Sequence, residues 1–196
     1  MKKITRKKKA GFTLIEVMLS IAIILLISGL FVSLIIATHE SYYTTYNYND
    51  STDYCQMYGK IIQDQILADR QDSSFASGSS RTYSMDPSQC QFVDGSGNAI
   101  VELPRVTNRD GTLKWIFAIS AVAFDPPTNI CTIEITVIDN YRNPGAVLYT
   151  YEFSFWVPNM TKQDGTTPIG DRITIEPGTS TTVSGVTNWS IVVKKQ

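Results

Sequence analysis

The strongest constraint on this 196-residue chain is a long run without charge. Between Glu16 and His39 no residue is charged, and residues 17–38 make 22 consecutive, mostly aliphatic positions. Coiled as a helix at 1.5 Å per residue, such a run reaches about 33 Å. A bilayer core of about 30 Å needs no more. A secretory signal has a shorter apolar region, of about 7–15 residues, followed by a small-x-small cleavage site. Here the run closes on Ile35-Ile36-Ala37-Thr38, which offers no such site.

Charge is divided unevenly around that run. The chain has 17 bases and 18 acids. Lys2, Lys3, Arg6, Lys7, Lys8 and Lys9 precede Phe12 with no acid among them, leaving 11 bases against 18 acids in residues 12–196. A basic tip before an apolar helix holds the N-terminus in the cytoplasm and sends the remainder outward. An acidic body excludes nucleic-acid binding by bulk electrostatics, although a role in DNA uptake stays open.

Glu16 does not suit a plain anchor. A carboxylate inside an apolar run costs a few kcal/mol unless offset, and asks for a named partner. Gly11-Phe12-Thr13-Leu14-Ile15-Glu16, after a short basic leader, resembles the processing site of type IV prepilins and pseudopilins. The resemblance covers residues 7–37. It implies that prepilin peptidase, an aspartic membrane protease, cuts between Gly11 and Phe12 and methylates the new Phe12 amine. Gly11 suits a scissile position because it has no side chain and a permissive backbone. Glu16 becomes the fifth residue of the mature chain and, by the same resemblance, pairs with the Phe12 amine of a neighbouring subunit. The physics agrees, because a buried acid and a buried ammonium are each costly alone and compensate when paired. Residues 12 and 16 are one helical step apart, so pairing within one chain is open as well.

Many major pilins carry a proline about twenty residues into this helix, whereas residues 1–86 here contain none. Gly29, Ser28 and Ser33 are the candidate soft points. Together with Val17-Met18-Leu19-Ser20, this leans toward a minor subunit.

The expected fold is α+β and pilin-like, a long N-terminal helix packed on one antiparallel sheet of four or more strands. Its parts are a basic leader at 1–11, a membrane and filament-core helix at 12–37, an amphipathic continuation at 38–68, and a β-rich head at 69–196. Tyr54, Met57, Tyr58, Ile61, Ile62 and Ile66 trace one helical face. The stretch 42–52 is poor in strong helix formers and suggests a kink, with Asp50 or Ser51 capping a second helix. Its tyrosines suit either a membrane-interface belt or packing between subunits. Residues 69–90 read as a surface loop. Strand signals follow at Ala99–Leu103, Leu113–Phe124, Cys131–Ile138, Val147–Val157, Arg172–Ile175 and Trp189–Val193. Val147, Tyr149, Tyr151, Phe153 and Phe155 fall on one face, and the turn before them marks a hairpin.

Catalytic signals are absent from the sequence. His39 is the single histidine, too few for a His-based metal site or a Ser-His-Asp triad. Gly95-Ser96-Gly97 lacks the third glycine and following helix of a dinucleotide loop. No acids recur at calcium-loop spacing. We therefore expect no enzyme, no cofactor and no metal. Asn159-Met160-Thr161 and Asn188-Trp189-Ser190 match the glycosylation sequon, a pattern common by chance. Cys55, Cys90 and Cys131 lack zinc spacing. A Cys90–Cys131 bridge would close a loop of about 40 residues, worth about 3–4 kcal/mol; the alternative is three reduced, packed thiols. Two functional readings remain. One is a structural filament subunit whose partners are prepilin peptidase, other pilins, the assembly machinery and the membrane, with the head exported and then carried in an extracellular filament. Within it, a pseudopilin of a secretion or DNA-uptake system is the variant. The other is a pilus-displayed adhesin or ligand-binding module using loops 69–90 and 159–188.

Overall fold

An uninterrupted supply of helix-compatible residues, with no proline before Pro87, produces one helix, α1 (Leu14–Gln71). A computed structural model describes residues 12–101, 106–159 and 172–196. The chain divides into two compact units, Met1–Asn47 and Tyr48–Gln196. The leader and Gly11 lie outside the described residues, as do 102–103 of the expected strand Ala99–Leu103 and 160–171 of the expected loop 159–188; the rest of that loop is mostly strand, Ile173–Val183 and the start of Val186–Lys195.

The second helix expected to start at Asp50 or Ser51 does not occur, and α1 runs on through 42–52. The hydroxyls there turn back on their own helix instead of capping a new one: Thr44 donates to the Glu40 carbonyl at 2.9 Å and Thr52 to the Tyr48 carbonyl at 2.8 Å. Ser51 likewise donates to Tyr48 at 2.9 Å. Rings add support at helical spacing, with Tyr42 stacked on Tyr46 at 6.3 Å.

Among the described residues seven strands follow: β1 (Ser80–Asp86), β2 (Gln91–Asp94), β3 (Trp115–Asp125), β4 (Ile130–Asp139), β5 (Val147–Trp156), β6 (Ile173–Val183) and β7 (Val186–Lys195). They form two antiparallel sheets rather than one, ordered β2-β1-β7-β6 and β3-β4-β5. Two corrections concern where strands start. Ser80–Asp86 is a strand and not loop, because Tyr83 and Met85 are pulled into the core when β1 pairs with β7. Ala99 makes only a bridge to Val93. The β6–β7 turn is two residues long, Ser184 and Gly185, both at positive φ (49° and 83°). That backbone matches the right-handed twist of the strands it joins.

The core of the second unit lies between the later part of α1 and the inner sheet faces. Cys55, Tyr58, Ile62 and Ile66 are buried on the helix. Met57 is 37% exposed, so the buried face centres one position away from the expected one. Gly59 takes that place: a Cβ there would come within 3.0 Å of the Tyr151 ring and 3.2 Å of Phe153. Its missing side chain lets the helix seat on a ladder of rings, Tyr151 on Phe153 at 5.6 Å and Phe153 on Phe155 at 6.0 Å. Val147 departs from the expected ring face. A register shift at Val137/Ile138 places it opposite Ile138, and it is 53% exposed.

Where β1 and β7 part company, Asn188 joins the sheets. Its Oδ1 accepts from the Ile119 backbone N–H at 3.0 Å, and its Nδ2 donates to the Met85 carbonyl at 2.9 Å.

Candidate functional site

The candidate site is the first turn of α1 and the apolar stem behind it. A helix start leaves its first N–H groups without intrahelical acceptors. Thr13 stands just before Leu14 and Glu16 three residues further on, so the two form a reciprocal cap. Glu16 Oε2 accepts from the Thr13 backbone N–H at 2.8 Å and from the Thr13 hydroxyl at 2.9 Å. The Thr13 Oγ1 accepts the Glu16 N–H at 3.3 Å. Both carboxylate bonds fall on Oε2. The signal for this cap, Thr-x-x-Glu before an apolar run, lies within the prepilin-type motif.

Behind the cap, every described residue from Phe12 to Tyr46 is exposed. Phe12 is 83% exposed and Leu14 79%. The hydroxyls in this stretch are satisfied internally: Ser20 donates to the Glu16 carbonyl at 2.7 Å, Ser33 to Gly29 at 3.0 Å and Thr38 to Leu34 at 2.9 Å. An apolar surroundings therefore meets hydrocarbon rather than unpaired polar groups. The helix is long and apolar enough to cross a membrane. His39 packs its ring on Tyr43 at 4.5 Å, outside any cluster of chemistry-bearing groups among the described residues.

The cysteines carry no disulfide and all three are buried. The possible Cys90–Cys131 bridge is not formed, and the Cys90 Sγ–H donates instead to the Trp115 carbonyl at 2.9 Å. The Cys90 carbonyl also accepts from the Tyr58 hydroxyl. Burial pushes the Cys55 and Cys131 thiols up to about 12, so neither supplies a thiolate near neutral pH. The sequon asparagines are likewise in use. Asn159 is 7% exposed and holds both backbone groups of Ile173, at 2.6 and 3.0 Å, and Asn188 is the sheet bridge described above. Met160 and Thr161 lie outside the described residues.

A polar cluster at the end of α1 was not visible in the sequence. Asp69, 1% exposed, accepts from Arg81 Nη1 at 2.7 Å and from the Tyr83 hydroxyl at 2.6 Å. Arg81 Nη2 bonds Asp72 Oδ2 at 2.6 Å and stacks over the Phe75 ring at 4.6 Å. The Ser74 hydroxyl and then Arg81 draw the Asp72 carboxyl down to about 2, while burial and the Asp69 bond push the Tyr83 phenol up to about 12. All its members are paired inside the fold, so this cluster ties the helix end to β1.

Compared with known families, residues 6–32 match the prokaryotic N-terminal methylation motif. The chain carries the type IV prepilin and pseudopilin signature. Within that signature stand Phe12, the Thr13–Glu16 cap and the first half of the exposed stem. The α+β arrangement, a long N-terminal apolar helix on antiparallel sheets, is consistent with a pilin-like fold. A start of this type implies processing by prepilin peptidase and a membrane-held apolar helix. Searches of curated proteins and of solved structures returned no match.

Proposed function

We propose that the chain is a minor subunit of a type IV pilus or a related filament. The observation that carries this is the matched N-terminal signature with a capped acid, Glu16, at its centre. Prepilin peptidase cuts between Gly11 and Phe12 and methylates the Phe12 amine; the stem waits in the membrane and then enters the filament core. Glu16 pairs there with the Phe12 ammonium of a neighbour, which fixes register along an otherwise uniform apolar surface. The uncovered stem supports the reading, since lipid and then other stems supply the cover it lacks. A proline-free helix and the sequence Val17-Met18-Leu19-Ser20 support the minor role. The head ends outside the cell.

Mass spectrometry of protein from sheared filaments tests this. The expected N-terminus is methylated Phe12, in a small minority of subunits. A chain beginning at Met1, or after Ala37, overturns the filament reading. Dense antibody labelling along whole fibres overturns the minor role.

A further inference from the structure

The outer face of the β3-β4-β5 sheet holds a surface that neither the core nor the stem uses. Beyond the register shift at Ile119/Ala121, the strands place their residues in three rows. Glu134 lies directly opposite Glu152, Thr132 opposite Ser154, and Ile130 opposite Trp156. β3 extends the rows with Ala121, Ala123 and Asp125. Opposed residues of antiparallel strands share a face, and two small alanines keep the β3 side low, so the face is flat.

Two of its acids are partly engaged, Glu134 Oε1 accepting from the Ser120 hydroxyl and Asp125 Oδ2 from the Thr128 hydroxyl, but these bonds leave the exposed Trp156 and Ile130, and Glu152, unexplained. Trp156 is 51% exposed and Ile130 41%, whereas Trp115 is 2% exposed. Like charges directly across a strand pair are destabilising, yet Glu134 and Glu152 stand so. The rows carry three carboxylates and no base, and none of the ion pairs among the described residues reaches them. Between acids and ring lies a hydroxyl row, Thr132 bonded to Ser154 at 2.7 Å. From Trp156 to Glu152 along β5 is about 13 Å.

We propose that this face binds a polysaccharide of amino sugars with free, protonated amines. The Trp156 ring stacks on the apolar face of one pyranose, the Thr132–Ser154 row exchanges hydrogen bonds with ring hydroxyls, and an ammonium sits against the Glu134–Glu152 pair. That last contact removes the repulsion the empty face carries. An extended basic peptide uses fewer of these groups, because its main chain needs the in-plane N–H and C=O of a strand edge, not side-chain tips on a face. The inference goes beyond filament membership and requires only that the head be exported. It also moves ligand binding from the loops at 69–90 and 159–188 to a sheet.

The test is calorimetry on the full chain in detergent, titrated with a glucosamine tetramer whose amines are protonated and with the N-acetylglucosamine tetramer. The free-amine tetramer is expected to bind at least about tenfold more tightly, and less so as salt rises. Trp156→Ala is expected to abolish the heat, Trp156→Phe to keep part of it, and Glu152→Gln to weaken binding several-fold. Unchanged thermal melts check that the variants fold. Equal affinity for the two tetramers, equal or tighter binding of hexalysine, indifference to Trp156→Ala, or no binding at all each overturns the proposal.

Discussion

At the first turn of the stem, one carboxylate has two claims on it. Thr13 takes Glu16 Oε2 within the single chain, and the filament partner proposed for it is a neighbour's Phe12 ammonium. Glu16→Gln keeps an acceptor for Thr13 and drops the charge; Glu16→Ala drops both. Both variants are expected to insert and be cleaved. Both should appear in sheared filaments at about a tenth of the wild-type level or less, because an ammonium buried without its counter-charge costs several kcal/mol. Wild-type recovery of the Gln variant would reduce Glu16 to a helix cap. Thr13→Val should have the smaller effect, since a lost cap is worth about 1 kcal/mol. A second residue-scale test concerns the thiols. Denatured without reductant, the exported protein should titrate three thiols per chain; a single thiol would restore the Cys90–Cys131 bridge. A third concerns Asn188. Its replacement by Ala strands the Ile119 N–H and the Met85 carbonyl, and chemical denaturation should show a loss of about 2–4 kcal/mol.

Between elements, α1 closely approaches β5 at Gly59. Gly59→Leu forces a branched side chain against the Tyr151 and Phe153 rings and should cost about 1–3 kcal/mol, read from the denaturation midpoint. Gly59→Ala should cost less, because a gain of about 1 kcal/mol in helix propensity offsets its tighter contact. Equal stability of Gly59→Leu would mean the helix does not seat there. Much of this architecture was legible in advance. β4 and β5 alternate apolar with polar residues and β3 is an apolar run closed by Asp125-Pro126-Pro127, so pattern alone placed them to within a few positions. β1 was not legible: Ser-Arg-Thr-Tyr-Ser-Met-Asp has only two core residues, and what makes it a strand is β7, more than 100 residues later. The split into two sheets was hidden for the same reason, since it rests on long-range pairing and on one asparagine. At the stem the order reversed. A six-residue motif carries the N-terminal signature, while the Thr13–Glu16 cap within it shows only once the helix start is placed at Leu14. The flat acidic face escaped notice because its residues come from three strands and meet only through register.

For the head as a whole, the cluster around Asp69 and Arg81 sets a response to acid. The Asp72 carboxyl titrates near 2 in the folded chain against an ordinary 3.8. A depressed carboxylate contributes stability above its unfolded value, and that contribution is lost as pH falls toward its folded one. Melting temperature should therefore drop between about pH 4 and 2, and Arg81→Met should flatten that slope. Tyr83 acts at the other end: with its phenol raised from 10 to about 12, its contribution is present below 10 and lost as pH climbs between the two. Tyr83→Phe should reduce the alkaline loss, the remainder coming from the buried Cys55, Cys131 and Tyr58; unchanged slopes in both variants would place the response elsewhere. The position of β7 has a different consequence. It is the last strand in chain order, yet it lies between β1 and β6. A head crossing a membrane with its stem leading cannot close its four-stranded sheet until Val186–Lys195 has emerged, because two neighbours wait for the same late partner. With the head exported as proposed, closure would double as a check on synthesis and export. A product cut short before Val186 would still carry a valid address for the peptidase and the membrane, yet it would present an unfinished, protease-sensitive head, marking it for disposal before it could spoil a fibre.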